Sequence, residues 1–334
     1  MNTRALNRAT LARQLLLERS SMKPAQAIAQ IAGMQAQVPK PPFIGLWTRL
    51  AKFERDDLRK LFAKGEVLRG TLMRGTLHIA TKKDFAAWRA TLQPVLTQGA
   101  QSVTRGAVEI ETVVAEAQKF LAKGPRVFED IRQHLVAKFP GVNDRLLGYV
   151  VRMHLPLAMT PDDSAWSFPP DSQFALTAIG KPDLHAFALR YLAAFGPATA
   201  ADFQTWSGLR GVSKLFAELD VERLRDDKGR ELFDVPGAPR PDEDTPAPVR
   251  FLPEFDNLLL AHADRTRIVS EEFRPRIVTK NLRVLATFLV DGFVAGTWTI
   301  AKKTLVVTPF AKLTRAQKIA VDEEGERLMQ FARD

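Results

Sequence analysis

A Gly-Pro corner, flanked by helical stretches and followed by a strand-like pair, occurs twice in this chain. No other feature limits the fold as much. "FLAKGPRVFEDIRQHL" (120–135) can be laid on "YLAAFGPATAADFQTWSGL" (191–209), which sets Gly124-Pro125 on Gly196-Pro197. Each copy reads as a helix, a corner and a second amphipathic helix, because proline presets φ for the helix it opens. A third helix is expected next, "NDRLLGYVVRMHL" after one corner and "GVSKLFAEL" after the other. Strand-like segments around turn residues then follow, "PLAMT" to "QFALTA" and "RLRDDKGRELFDVPG". Helix, helix, helix, hairpin is the order of a winged helix. The N-terminal stretch looks like a third, more divergent copy, with Lys23-Pro24 at the corner.

The remaining segments fill in around these copies. A helix is expected over Ala25 to Met34, then a short one near Ile44 to Ala51, then another from Asp56 to Lys64. "EVLRGTLMRGTLHIA" shifts to alternation and Gly turns, which suggests strands. "DVPGAPRPDEDTPAPVR" (234–250) is too rich in proline and acid to pack a core and reads as a linker. Beyond it lies a strand pattern with a hairpin turn at Asp291-Gly292, then an amphipathic helix. The expected class is mainly α with small β-hairpins and sheets (α+β), built from tandem winged-helix motifs. The expected regions are 1–105, 106–180, 181–238 and 239–334.

Composition narrows the chemistry. The absence of cysteine excludes disulfides, thiolate zinc sites and a catalytic thiol, and suits a reducing cytoplasm. No apolar run is long enough for a membrane span, and the basic N-terminus lacks a signal-peptide cleavage pattern. A mitochondrial-type presequence is the rival reading of that N-terminus. A net charge of +10 attracts polyanions, nucleic acid first among them, although a basic enzyme with dispersed surface charge would show the same total. The basic residues are spread along the chain, so the fold must assemble any footprint.

Common catalytic sets are missing. The sequence holds neither a Walker loop nor a dinucleotide-binding glycine fingerprint, and its five histidines (78, 134, 154, 185 and 262) have no metal-ligand spacing. No metal or cofactor is expected. "GMQAQVPKPP" (33–42) stands out instead: two neutral amides, Gln35 and Gln37, sit one residue apart where a proline-rich brake begins. One reading is a helix C-terminus facing solvent; the other is a site. In a helix, residues two apart diverge by about 200°, so a site would need a turn at Gln37.

The segments "GMQAQ", "RGTLMRGTLHIA", "FGPATAADFQTWSGL", "FLPEFDNLLLAHADRTR" and "FLVDGFVAGTW", in that order, resemble the AlkZ/YcaQ-like winged-helix DNA glycosylases. The resemblance spans nearly the whole chain. It implies tandem winged helices around a concave DNA-binding channel, and a catalytic Gln-x-Gln that Gln35-Ala36-Gln37 matches. It also implies excision of bulky alkylated purines and unhooking of interstrand crosslinks. An amide takes no proton at neutral pH, but it can hold a water through its carbonyl and a neighbouring group through its NH2. That suffices for a cationic N7- or N3-alkylpurine, which departs as a neutral base.

Further candidates for DNA contact are Arg69, Arg74 and His78 near the first hairpin, and Asn257, Arg265 and Arg267 after the linker. Structural ion pairs for the arginines, a satisfied buried histidine and a turn cap at Asp256 are the competing readings. The Asp291-Gly292 hairpin reads equally as a groove reader or as the end of a small sheet. With no lysine marked as a Schiff-base nucleophile, a monofunctional enzyme is expected, acting as a monomer on double-stranded DNA. The alternatives are a winged-helix regulator or a non-catalytic lesion sequesterer. Third helices poor in base-reading residues weigh against the regulator.

Overall fold

The computed structural model describes residues 1–333. Its first 104 residues contain α1 (Thr3–Arg13), α2 (Pro24–Gln30), β1 (Met34–Gln35), α3 (Pro41–Trp47) and α4 (Arg55–Ala63). The strands β2 (Val67–Thr71) and β3 (Leu77–Thr81) follow, then the long helix α5 (Lys82–Thr104). Thr81 starts α5 by accepting the Asp84 backbone N–H on its hydroxyl, which satisfies one of the open donors of the first turn.

The two Gly-Pro copies both form the expected order. The first contains α6 (Ile110–Leu121), β4 (Arg126–Val127), α7 (Phe128–Lys138), α8 (Asp144–His154), β5 (Leu157–Met159) and β6 (Gln173–Leu176). The second contains α9 (Leu184–Phe195), α10 (Ala200–Ser207), α11 (Ser213–Glu218), β7 (Glu222–Arg225) and β8 (Glu231–Asp234). After the linker come β9 (Arg250–Leu252), β10 (Thr287–Val290), β11 (Phe293–Ala301), β12 (Thr304–Pro309) and α12 (Arg315–Ala332). Among the described residues no helix is long and apolar enough to cross a membrane. The result is a mixed helical protein with small antiparallel sheets.

Sheet pairing joins what the sequence reads as separate regions. The strands of the first and second regions share one sheet, in the order β1-β3-β2-β5-β6-β4. Its seam is Gly70 opposite Ala158, where a Cβ on Gly70 would stand 2.3 Å from the Leu157 carbonyl oxygen. Only glycine lets the two backbones approach that closely. The second sheet runs β12-β11-β10-β9 and carries the C-terminal helix. A core of Trp88, Phe187, Tyr191, Phe203 and Trp206 packs α5, α9 and α10 together beside the first hairpin. The linker is not free chain. Arg4, Arg8 and Arg13 of α1 donate to the carbonyls of Glu243, Thr245 and Pro239, so one face of α1 straps it down.

The structure corrects the first region in one place that matters. Helix α2 ends at Gln30, four residues before Met34, and the two glutamines are not on a helix. The prolines do not merely stop a helix either: Pro41 and Pro42 open α3.

Candidate active site

The chain turns out of α2 through two consecutive left-handed residues, Ala32 (φ 57°) and Gly33 (φ 74°). The Gly33 N–H closes the helix end on the Ile28 carbonyl at 2.9 Å. A side chain at Gly33 would meet the Ile79 carbonyl oxygen at 2.8 Å, so the position needs glycine for both its φ and its close approach. Met34 and Gln35 then pair antiparallel with Ile79 and His78 of β3, and the Ala36 N–H reaches the Leu77 carbonyl at 2.7 Å. Alternate residues of an extended chain fall on one side. Met34 and Ala36 enter the core, and the buried Gln35 and the exposed Gln37, which lies in the bend after β1, flank Ala36. The helical divergence expected between them does not arise.

Each amide is held by one donor. The Gln35 Oε1 accepts from Arg74 Nη2 at 2.7 Å, and the Gln37 Oε1 accepts the backbone N–H of Leu77 at 2.9 Å. Arg74 lies in the tight turn Met73–Gly75 between β2 and β3 with φ 57°, and also donates to the Trp206 carbonyl. The backbone between the amides is braced as well. Arg69 donates from Nε to the Ala36 carbonyl at 2.9 Å and from Nη2 to the Gln37 carbonyl at 3.3 Å, with its guanidinium 5.0 Å over the Phe168 ring. Asn257 Nδ2 donates to the Gly33 carbonyl at 3.2 Å.

The other candidates divide by burial. His78 is fully buried, its Nδ1 bonded to the Thr76 carbonyl at 3.0 Å. Burial and the nearby Arg74 charge push its pKa down to about 3, so the ring is neutral at physiological pH and Nδ1 carries the hydrogen. Arg267 is buried and donates to the Pro197 carbonyl at 2.9 Å, close enough to Asp202 for their charges to interact. Arg69, His78, Asn257 and Arg267, expected as DNA contacts, are therefore buried, as is Gln35. Arg74 and Arg265 are only partly buried. Burial and the Arg265 charge lower Arg74 to about 10, and burial and the Arg274 charge lower Arg265, so the guanidinium beside Gln35 has a second cation near it.

The two hairpins of the second sheet differ. Asp291 pairs with Arg4 and Arg8, and Asn7 Nδ2 donates to the Gly292 carbonyl at 2.8 Å, so this tip is docked on α1. The tip between β11 and β12 carries Lys302 and Lys303, both left-handed and both exposed. Asp256 caps the turn at Asn257–Leu259 through the Leu258 N–H and also accepts both Nη groups of Arg49, each at 2.9 Å. Arg49 and the Trp206 carbonyl do not stand out in the sequence. Nothing in their linear spacing marks them.

The model of the AlkZ-like DNA glycosylase family matches residues 28–331. The chain belongs to this family. It is a DNA glycosylase, an enzyme that hydrolyses N-glycosyl bonds. The interstrand DNA cross-link repair glycosylase of Streptomyces sahachiroi is 25% identical over 344 residues, covering 94% of this chain and 92% of that protein. The solved structure of the Streptomyces sahachiroi DNA glycosylase AlkZ shares the fold, with a TM-score of 0.83 at 22% identity, over 99% of this chain and 96% of that one. In this glycosylase the buried Gln35 of β1 meets the half-buried Arg74 of the β2–β3 turn, and the exposed Gln37 follows two residues on, held by Leu77 of β3.

Proposed function

We propose that this glycosylase excises cationic alkylated purines of the N7-alkylguanine type from double-stranded DNA, with Gln35 and Gln37 at the reacting sugar. The observation that carries this reading is the pair of amides at the end of β1 and in the bend after it, each anchored by its own donor. A group that only positions water must itself be positioned. The C1′–N9 bond breaks and its electron pair goes to the base, which loses its positive charge and departs neutral. The water oxygen bonds to C1′ and its proton passes to solvent. Neither amide takes that proton, so activation comes from the substrate. A neutral lesion such as uracil lacks it.

Unhooking of interstrand crosslinks is part of the proposal. The cross-link repair activity for which the Streptomyces relative is named supports it, and so does the resemblance of the motifs. Arg74 and Arg265, together with the exposed tip at Lys302 and Lys303, supply cations for the phosphate backbone. The buried Arg69, His78 and Asn257 brace the site instead, and Arg267 is held at Pro197. We place the enzyme in the cytoplasm, bound to the nucleoid, as a monomer.

The test is incubation of a duplex containing 7-methylguanine, followed by alkaline cleavage of abasic sites. Strand breaks that vanish in Gln37→Ala support the reading, as does an untouched uracil duplex. Unchanged breaks in Gln35→Ala/Gln37→Ala sink it.

A further inference from the structure

The two amides are held in a fixed orientation, and their holders differ in charge. A guanidinium and a backbone N–H can only donate, so the oxygen of each amide must face its holder and each NH2 must face away. Among the described residues, neither amide nitrogen donates to a protein group, and neither belongs to the sealed, unpartnered polar atoms. Gln37 is exposed; Gln35 is buried at 7% exposure, but its NH2 is not sealed, so each amide keeps a donor that no protein group uses.

Gln37 is held by the neutral Leu77 N–H, which leaves its carbonyl a second lone pair of ordinary strength. Gln35 is held by a cation. A charge-assisted bond to the carbonyl draws electron density from the amide, which weakens its oxygen as an acceptor and strengthens its NH2 as a donor. Arg74 itself is pinned, by its left-handed backbone and by the Trp206 carbonyl.

A strong donor helps a reaction only where negative charge develops. As C1′–N9 breaks, the sugar becomes positive, so a donor aimed at the ring oxygen would oppose the step. The purine gains the electron pair. N9 itself is still engaged with C1′, and the neighbouring acceptor on the same edge, conjugated to N9 through the ring, is N3, whose in-plane lone pair can take a hydrogen bond. We infer that Arg74 sets Gln35 as a hydrogen-bond donor to N3 of the departing purine, leaving Gln37 to hold the water. The inference rests on the proposed excision of alkylated purines and divides the labour between its two amides. Arg74 is in this sense a positioning residue. The balance is unchanged: the electron pair of C1′–N9 goes to the purine, the oxygen goes to C1′ and the proton goes to solvent.

The test compares single-turnover excision of 7-methylguanine and of 3-deaza-7-methylguanine from otherwise identical duplexes. Each rate is divided by the spontaneous depurination rate of that duplex. Gln35→Glu keeps an acceptor for Arg74 and loses the NH2, so it should slow 7-methylguanine excision about 100-fold or more. On the 3-deaza duplex the wild type should itself be slowed comparably, and Gln35→Glu should cost no more than about threefold beyond that. Arg74→Met should lose about tenfold on 7-methylguanine and nothing further on the 3-deaza base. A purely structural role would slow both duplexes equally.

Full activity of Gln35→Glu, or an equal loss on both bases, overturns the inference. So does a wild type indifferent to N3, which decides the matter even if the variants fail to fold. Gln37→Ala separates the two readings. If it is inactive while Gln35→Glu is normal, only the donor role falls. If Gln37→Ala and the double alanine variant both retain the wild-type rate, the proposed function falls with it.

Discussion

Arg13 and Arg49 lie beneath the scaffold, and each meets a buried carboxylate. Arg13 donates to both oxygens of Asp234 at 2.6 and 2.8 Å, and Arg49 to both oxygens of Asp256 at 2.9 Å. Arg69 and Arg74 lie at the amide loop and meet only neutral acceptors: three backbone carbonyls and the Gln35 amide. In the scaffold the charge is cancelled, so the pair serves packing and geometry. At the loop it is kept. Burial lowers both site arginines to about 10, which still leaves them protonated at neutral pH, and their field is available to a polyanion. The same residue type therefore braces in one region, and both braces and attracts in the other.

The sharpest way to break this comparison is to strand a charge. Asp234→Ala leaves Arg13 buried without its carboxylate and should cost about 3–5 kcal/mol of unfolding free energy in a urea titration. Arg69→Met strands no charge and should cost less, about 1–3 kcal/mol, while slowing excision because the loop carbonyls of Ala36 and Gln37 lose their donor. If Arg69→Met proved the more damaging to stability, the distinction between paired and unpaired arginines would be wrong.

Acid offers a third handle. His78 and His262 are buried and neutral, both pushed down to about 3 chiefly by burial. In the unfolded chain they would titrate near the usual value of about 6.5. Their contribution to stability is therefore complete above that pH and is lost as the pH falls towards 3, at about 1 kcal/mol per pH unit for each ring. Unfolding monitored between pH 7 and 4 should follow that slope, whereas single-turnover excision should stay flat from pH 6 to 9 because no histidine at the site titrates there. A bell-shaped rate profile in that range would require a base that the site does not contain.

The smallest effect concerns the two hairpin tips. Lys302→Ala/Lys303→Ala should leave folding unchanged and lower the salt slope of duplex binding by about 0.9 for each phosphate that is no longer neutralised. Asp291→Asn should instead loosen α1 and leave the salt slope near that of the wild type.

Much of this protein was legible along the chain. The Gly-Pro corners, the helices that follow them and the hairpins at 222–234 and 287–301 obey rules that act over a few residues: a preset φ, a period of 3.6 or 2, a turn that demands φ above zero. The same local rules carried the helix before Gln35 and Gln37 on to Met34, although it ends at Gln30. Ala32 and Gly33 can end a helix, but pairing with β3, more than forty residues away, decides that the next residues run extended. Partner choice was further out of reach. An arginine in sequence is equally a phosphate ligand, a core brace or half of an ion pair. What separated Arg13 from Arg74 was whether the fold brought a carboxylate or a carbonyl to the guanidinium, across separations of 221 and 39 residues. The sequence by itself determined the order of the elements and the chemistry on offer, two amides and a surplus of cations. Only the tertiary structure decided which way each amide faces and which cations keep their charge uncancelled, because both depend on donors and acceptors that meet through space.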